Sequence, residues 1–225
     1  MNAEAEQLGA PRLTQDERRI ARRQAILDAA ESLFLEYGYP SVSLSAIVQR
    51  SGGSLATIYQ MFGNKQGLLR AVVDRSNDEY LKDLDTLLAS GLPPRRILEE
   101  FALRYLALTT TPRKIAFMRL VIVESLTDPD FGEAFDNDMQ LKYITRLASL
   151  FESWNARGIA QIDRPRHAAE LYFAMLLCNL PIRFMLGRPP EEPSREDTIW
   201  RLAGFLDRFG MREETPPNAQ APSSG

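Results

Sequence analysis

Ser43 to Phe62 reads S-L-S-A-I-V-Q-R-S-G-G-S-L-A-T-I-Y-Q-M-F. Leu44, Ile47 and Val48 recur at helical spacing in its first half, and Leu55, Ile58, Tyr59 and Phe62 do so in its second. Each half is therefore a short helix with one apolar face. Ser43 and Ser54 stand where an N-cap belongs, able to accept a hydrogen bond from an otherwise free amide of the first turn. Gly52 adopts positive φ at little cost, so it ends the first helix and turns the chain before the second. The layout is a helix-turn-helix. Its second helix either enters a DNA major groove, presenting Ser54, Thr57, Tyr59 and Gln60 to base edges, or is an ordinary element of a small helical domain.

The flanks bear on that choice. Upstream, Arg18, Arg19, Arg22 and Arg23 lead into I-L-D-A-A-E-S-L-F-L-E-Y, where Ile26, Ala29, Ala30, Leu33, Phe34 and Tyr37 form a helical stripe that Gly38 ends. Cations near a helix N-terminus oppose its dipole, so local stability does not explain the arginines. Phosphate contact does, and a solvated charged end is the alternative. Downstream, Asn64 can cap a fourth helix whose first turn holds Lys65, and amides beside an ammonium make an anion site suited to a DNA phosphate. Leu68, Leu69, Val72 and Val73 form this helix's buried stripe, and its polar continuation is long enough to reach a second domain.

Composition sets the bounds. A chain of 225 residues with 44% hydrophobic content supports one large or two small domains. Its net charge of −3 gives no global attraction to nucleic acid, yet between Pro11 and Arg70 eight Lys or Arg stand against five Asp or Glu. Basic character is local to the helix-turn-helix. One cysteine, Cys178, forbids an intrachain disulfide and lies in the most apolar stretch, where it is expected to be buried and inert. No Cys/His spacing suits a metal. The start carries Glu4 and Glu6 in place of a signal peptide's apolar stretch, and the run Leu171 to Ile182 is too short to span a bilayer. A soluble cytoplasmic protein without a membrane segment is expected.

The run from Arg22 to Leu69 resembles the DNA-binding domain of the TetR family of bacterial transcriptional regulators. The likeness is carried by A-I-L-D-A-A-E-S-L-F, G-Y-P-S-V-S-L-S-A-I-V, S-G-G-S-L-A-T-I-Y-Q-M-F and N-K-Q-G-L-L, in order and without insertion. It implies that Thr57, Tyr59 and Gln60 face an operator, that Lys65 and Ser43 contact phosphate, and that Ser45 is DNA-facing. Ser54, Arg22 and Arg23 complete the expected contact set. Two positions depart from the family pattern: Gly53 replaces the usual valine of the turn, and Leu55 stands where a polar or small residue is commoner. Leu55 either packs inward or touches a thymine methyl.

The rest reads as a helical bundle. Helices are expected over Arg95 to Leu108, Pro112 to Leu126, Phe131 to Arg157, Arg166 to Leu186 with a kink at Pro181, and Arg195 to Phe209. The fold class is thus all-α: an N-terminal three-helix helix-turn-helix domain joined by a long helix to a C-terminal helical ligand-binding and dimerisation domain. The expected boundaries are a disordered arm over 1–17, the DNA-binding domain over 18–70, the second domain over 71–211 and a disordered tail over 212–225. The second domain is more weakly similar to the AefR-like subgroup through M-R-L-V-I-V-E and the following F-x-x-x-F.

The resemblance implies a palindromic double-stranded DNA operator, a homodimer and an unidentified small-molecule effector, with no cofactor. Expected pocket residues are Phe101, Tyr105, Phe117, Met118, Val121, Met139, Tyr143, Trp154, Phe173 and Met175, with plain core as the alternative at each. Arg119, inside an apolar helix, must reach solvent, a carboxylate such as Glu124, or an anionic ligand. The apolar excess at Leu171, Ala174, Leu177, Cys178, Pro181, Met185, Trp200, Phe205 and Phe209 suits a four-helix dimer interface, with core burial as the alternative. No catalytic set emerges: His167 has no identifiable partner, and Ser51-Gly52-Gly53-Ser54 is neither a nucleophile elbow nor a phosphate loop. A regulator, a repressor in particular, is therefore expected, and a helical ligand sensor or interaction dimer without DNA binding is the alternative from another class.

Overall fold

The computed structural model describes residues 14–188 and 194–211, with side chains described except at 76, 77, 79, 134 and 136–141. The described residues are all-α, with ten helices: α1 (Gln15–Tyr37), α2 (Leu44–Ser51), α3 (Leu55–Phe62), α4 (Lys65–Ala89), α5 (Pro94–Thr109), α6 (Pro112–Thr127), α7 (Pro129–Ala156), α8 (Pro165–Leu177), α9 (Leu180–Met185) and α10 (Arg195–Arg208). The chain divides into two compact units, Met1–Leu69 and Arg70–Gly225, and the division falls within α4. Most of the expected arm, the tail and the turn at 189–193 lie outside the described residues.

α1 begins at Gln15, ahead of the expected start at residue 18. A capping box sets that start: the Thr14 hydroxyl accepts from the Glu17 amide at 3.2 Å, and the Glu17 carboxylate accepts from the Thr14 amide at 2.6 Å. From Thr14 to Gln24 every α1 residue is exposed, and burial starts at Ile26, where the apolar stripe begins. Ile26, Leu27, Ala30 and Phe34 are almost wholly buried, as are Ile47 of α2 and Ile58 of α3. These side chains make the core of the first unit.

The second unit is organised by aromatic rings. Tyr80 of α4 lies 4.9 Å from Tyr105 of α5, which lies 5.3 Å from Phe173 of α8, while Phe205 of α10 meets Tyr172 at 5.9 Å and Phe209 at 4.9 Å. Two buried hydroxyls find partners in this core: Tyr172 Oη donates to the Leu98 carbonyl at 2.7 Å, and Tyr80 Oη pairs with Thr109 Oγ1 at 3.2 Å. Ion pairs fasten α10 to α5, Arg95 to Asp207 and Arg195 to Glu100, each at 2.6 Å. The Arg195 guanidinium holds the Glu100 carboxyl below its ordinary value.

Three expectations need correction here. The stretch Arg166 to Leu186 is two helices and not one kinked helix. α8 stops at Leu177, Cys178 takes φ of 41°, and Pro181 falls in the first turn of α9, where a missing N–H leaves nothing unsatisfied. Cys178 is exposed, since it sits at that break and not inside the bundle. Phe205 and Phe209, expected at a subunit interface, are 4% and 6% exposed and belong to the unit's own core.

Burial pushes the Tyr172 phenol well above its ordinary value, and Tyr105 shifts in the same direction for the same reason. The neutral phenol is thus the folded form, so its contribution is complete below the unfolded value near pH 10 and falls as the pH rises beyond it. Tyr172→Phe is expected to cost about 1 kcal/mol at neutral pH and to flatten the alkaline loss of stability, measured by urea unfolding from neutral to strongly alkaline solution.

Candidate nucleic-acid interface

The helix-turn-helix forms as the sequence dictates. Ser43 Oγ accepts from the Ala46 amide at 3.1 Å, which starts α2. The chain then reverses through Gly52 at φ 76° and Gly53 at φ 97°, with the Gly52 amide bonded to the Val48 carbonyl at 2.8 Å. Ser54 Oγ accepts from the Thr57 amide at 3.2 Å and pairs with Thr57 Oγ1 at 3.0 Å, so Thr57 is half-buried and partly engaged with the cap.

The second apolar stripe divides. Ile58 is fully buried and Phe62 half-buried, whereas Leu55 and Tyr59 are 40% and 55% exposed. Ser54, Leu55, Tyr59 and Gln60 thus lie on the solvent side of α3 and its cap, and Leu55 is not packed inward. Ser43 and Ser45 are exposed as well.

Cations surround this surface. Lys65 Nζ donates to the Pro40 carbonyl at 3.2 Å and lies 4.4 Å from the centre of the Tyr39 ring, which fixes the ammonium at the start of α4. The Arg23 guanidinium lies 5.6 Å from the Phe62 ring. Arg22 Nη1 donates to the Ser51 carbonyl at 3.2 Å, so it is turned onto the helix-turn-helix. Arg50 is bound to Glu36 at 3.0 Å and to Ser32 at 3.3 Å, an internal brace. Sequence reasoning did not find Tyr39 and Pro40, because a seat for Lys65 built 25 residues upstream leaves no periodic signal.

Asn64 and Gly67 set the start of α4. Asn64 Oδ1 accepts from the Gly67 amide at 2.7 Å, and a Cβ on Gly67 would lie 2.1 Å from the Phe62 carbonyl oxygen. Only glycine lets the first turn of α4 come this close to the end of α3.

In the second unit, the expected pocket residues Phe101, Tyr105, Tyr143, Trp154 and Phe173 are buried in the aromatic core, and Met175 is half-buried against it. Phe117 and Val121 are buried on α6, while Met118 is half-buried. Arg119 is exposed and reaches toward Gly187 after α9. Met139 lies outside the residues whose side chains are described. An open cleft of about 610 Å³ lies at Asn155, Ala160–Asp163, Arg208 and Phe209, and none of the expected pocket residues lines it. Of the expected interface residues, Leu171, Ala174, Cys178, Pro181, Met185 and Trp200 are exposed, and Leu177 is half-buried against the core. Among the described residues no group of three or more His, Cys, Asp or Glu is placed to hold a metal, and no helix is long and apolar enough to cross a membrane.

A three-helix unit with a capped, outward-facing third helix, followed by a larger helical bundle, defines a helix-turn-helix regulator of the two-unit kind. Two family models match: "Bacterial regulatory proteins, tetR family" over residues 26–72, and "AefR-like transcriptional repressor, C-terminal domain" over residues 96–206. The chain belongs to the TetR family of transcriptional regulators.

Individual proteins are similar over part or most of the chain. The transcriptional repressor ComR of Escherichia coli is 42% identical over 62 residues, which are 28% of this chain and 30% of that protein. The chain thus spans about a third of the length of the curated relatives it matches. Among solved structures, a TetR-family regulator from Mesorhizobium loti has a TM-score of 0.71 at 24% identity, covering 85% of this chain and 98% of that one. The flavonoid-responsive regulator FrrA has a TM-score of 0.64 at 26% identity, covering 84% and 96%.

Gly67→Ala is expected to lower the stability of the first unit by about 2 kcal/mol through backbone overpacking, measured by thermal unfolding of the full chain.

Proposed function

We propose that the chain is a homodimeric repressor that binds a palindromic DNA operator through α3 and is released by a small-molecule effector bound in the second unit. The observation that carries this reading is the outward face of Ser54, Leu55, Tyr59 and Gln60, beside the cation of Lys65. Gln60 has the paired donor and acceptor of an amide, suited to an adenine edge, and Leu55 offers an apolar surface to a thymine methyl. Thr57 reaches the DNA at the start of α3, and Tyr59 and Ser45 flank the groove. Phosphates are held by Lys65, by the Ser43 hydroxyl and by Arg23. Such contacts orient the protein on the duplex without reading its sequence. The likeness to the repressor ComR supports repression as the sense of the regulation.

Dimerisation is supported by what the second unit leaves uncovered. Leu171, Ile182, Met185 and Trp200 are 47%, 58%, 51% and 79% exposed, an apolar surface unusual for a protein that acts alone. A two-fold pairing through α8, α9 and α10 covers it. The same pairing sets two recognition helices about 34 to 36 Å or a multiple apart, as a palindrome requires.

The effector site is assigned to the aromatic core between α4, α5, α7 and α8, where Tyr80, Tyr105, Tyr143 and Phe173 meet. An aromatic effector would replace ring contacts with ring contacts, and the flavonoid response in FrrA's name supports that chemistry. α4 carries Lys65 at one end and Tyr80 and Leu84 in the second unit's core, so one helix serves both functions. Release requires the effector to bind the DNA-incompetent state more tightly, since equal affinity for both states shifts nothing.

Lys65→Ala is expected to weaken binding to every duplex and to lower the salt slope by about 1 in fluorescence anisotropy titrations, whereas Gln60→Ala changes the preferred base at one position of each half-site. A Gln60 variant with unaltered preference removes that residue from the reading set. The double variant Trp200→Glu, Met185→Glu is expected to sediment as a folded monomer and to lose operator binding; a dimer of unchanged affinity contradicts the assigned interface.

A further inference from the structure

The four arginines at the start of α1 look alike in sequence, but Arg22 is held differently from its neighbours. Its Nη1 donates to the carbonyl of Ser51, the last residue of α2, 29 positions away. Its guanidinium also covers the turn: a Cβ on Gly52 would lie 3.3 Å from Nη1, and one on Gly53 would lie 3.4 Å from Nη1, 3.7 Å from Cζ and 3.8 Å from Cδ. The two glycines, both at positive φ, leave room for that cover. At Gly53 there is no side chain, and Arg22 occupies the adjoining space from α1. The Ser51 carbonyl belongs to the last turn of α2, where carbonyls lack helical partners and a cation is favoured.

We propose that Arg22 is a positioning residue for α3 rather than a phosphate contact: by binding the Ser51 carbonyl and covering Gly52 and Gly53, it fixes the turn and with it the angle at which α3 is presented. The proposal rests on the reading of α3 as the DNA-reading helix. Glycines at this turn are conformationally free, and every degree of play there becomes play in Tyr59 and Gln60. Arg23, next in the chain, lies against Phe62 at the far end of α3. Consecutive arginines of α1 thus reach the turn before the recognition helix and the last residue of that helix. Removing Arg22 lowers discrimination between operator and random DNA while leaving the number of phosphate contacts unchanged.

The test uses the full chain with Arg22→Ala, Arg22→Lys and, for comparison, Lys65→Ala. In the free protein, amide hydrogen exchange is followed at Gly52, whose amide closes the end of α2, and at Thr57 and Ile58, whose amides are bonded to the Ser54 cap. Exchange at these positions is expected to rise about fivefold to tenfold in Arg22→Ala, the equivalent of one net hydrogen bond, with α1 from Ile26 onward unchanged. Arg22→Lys keeps the charge but not the planar cover, and the same amides are expected to loosen in it.

On DNA, both Arg22 variants are expected to keep the wild-type salt slope on random duplex while losing about tenfold in preference for the selected sequence, whereas Lys65→Ala loses about 1 in slope. Unchanged exchange at the turn in Arg22→Lys, or a salt slope lower by about 1 in Arg22→Ala, overturns the proposal. A wild-type protein that binds no DNA contradicts the operator reading instead, and the exchange data then decide alone whether Arg22 holds the turn.

Discussion

Everything the first unit does depends on burying one side of two very short helices. Neither α2 nor α3, at eight residues each, is long enough to be stable in water alone. α1 packs on α2 and α2 on α3, and Ile47 and Ile58 have no exposed surface while Ile26, Leu27, Ala30 and Phe34 of the α1 stripe are almost wholly buried. Burial of an isoleucine contributes about 2 kcal/mol, more than either serine cap, so the caps and glycines choose where the helices begin and end while the core keeps them formed. With the inner face of α3 fixed by Ile58, the outer face is free to carry Tyr59 and Gln60. That division of one helix into a holding side and a reading side is the physical basis of the operator reading.

The second unit solves a different problem. Its core is built from rings at 4.9 to 6.4 Å, with the tyrosine hydroxyls of Tyr80 and Tyr172 satisfied internally. Ring-on-ring packing can exchange one aromatic partner for another at modest cost, which is compatible with the proposed effector site. Past the break at Cys178, Ile182 and Met185 are exposed, as Leu171 is before it.

Much of this was legible in the sequence, and the reason is locality. The caps Ser43 and Ser54, the glycine turn and the start of α6 at Pro112 are signals carried within a few residues and are realised where they were expected, while α5 and α8 begin one residue ahead of the expected Arg95 and Arg166, at Pro94 and Pro165. Thr14 and Glu17 carried a signal of the same kind, and the helix they start runs to Tyr37. Contacts at long separation were not legible. Periodicity marks Phe205 and Phe209 as apolar but does not say whether the covering surface comes from the same chain; here Tyr172 of α8 meets Phe205, and Phe209 packs against Phe205. The seat of Lys65 on Tyr39 and Pro40, and the grip of Arg22 on Ser51, join residues 25 to 29 positions apart. Pro181 gave a true signal of interruption, but only the backbone path separates a kinked helix from two helices.

The account stands on α3 as a reader of DNA sequence, and the direct measurement is selection of binding sites from random duplex DNA by the purified full-length protein. A single palindrome is predicted, with half-sites whose centres are a whole number of helical turns apart, and with affinity that falls as salt is raised. Recovery of no sequence above non-specific binding, at low salt and with no effector added, would contradict it.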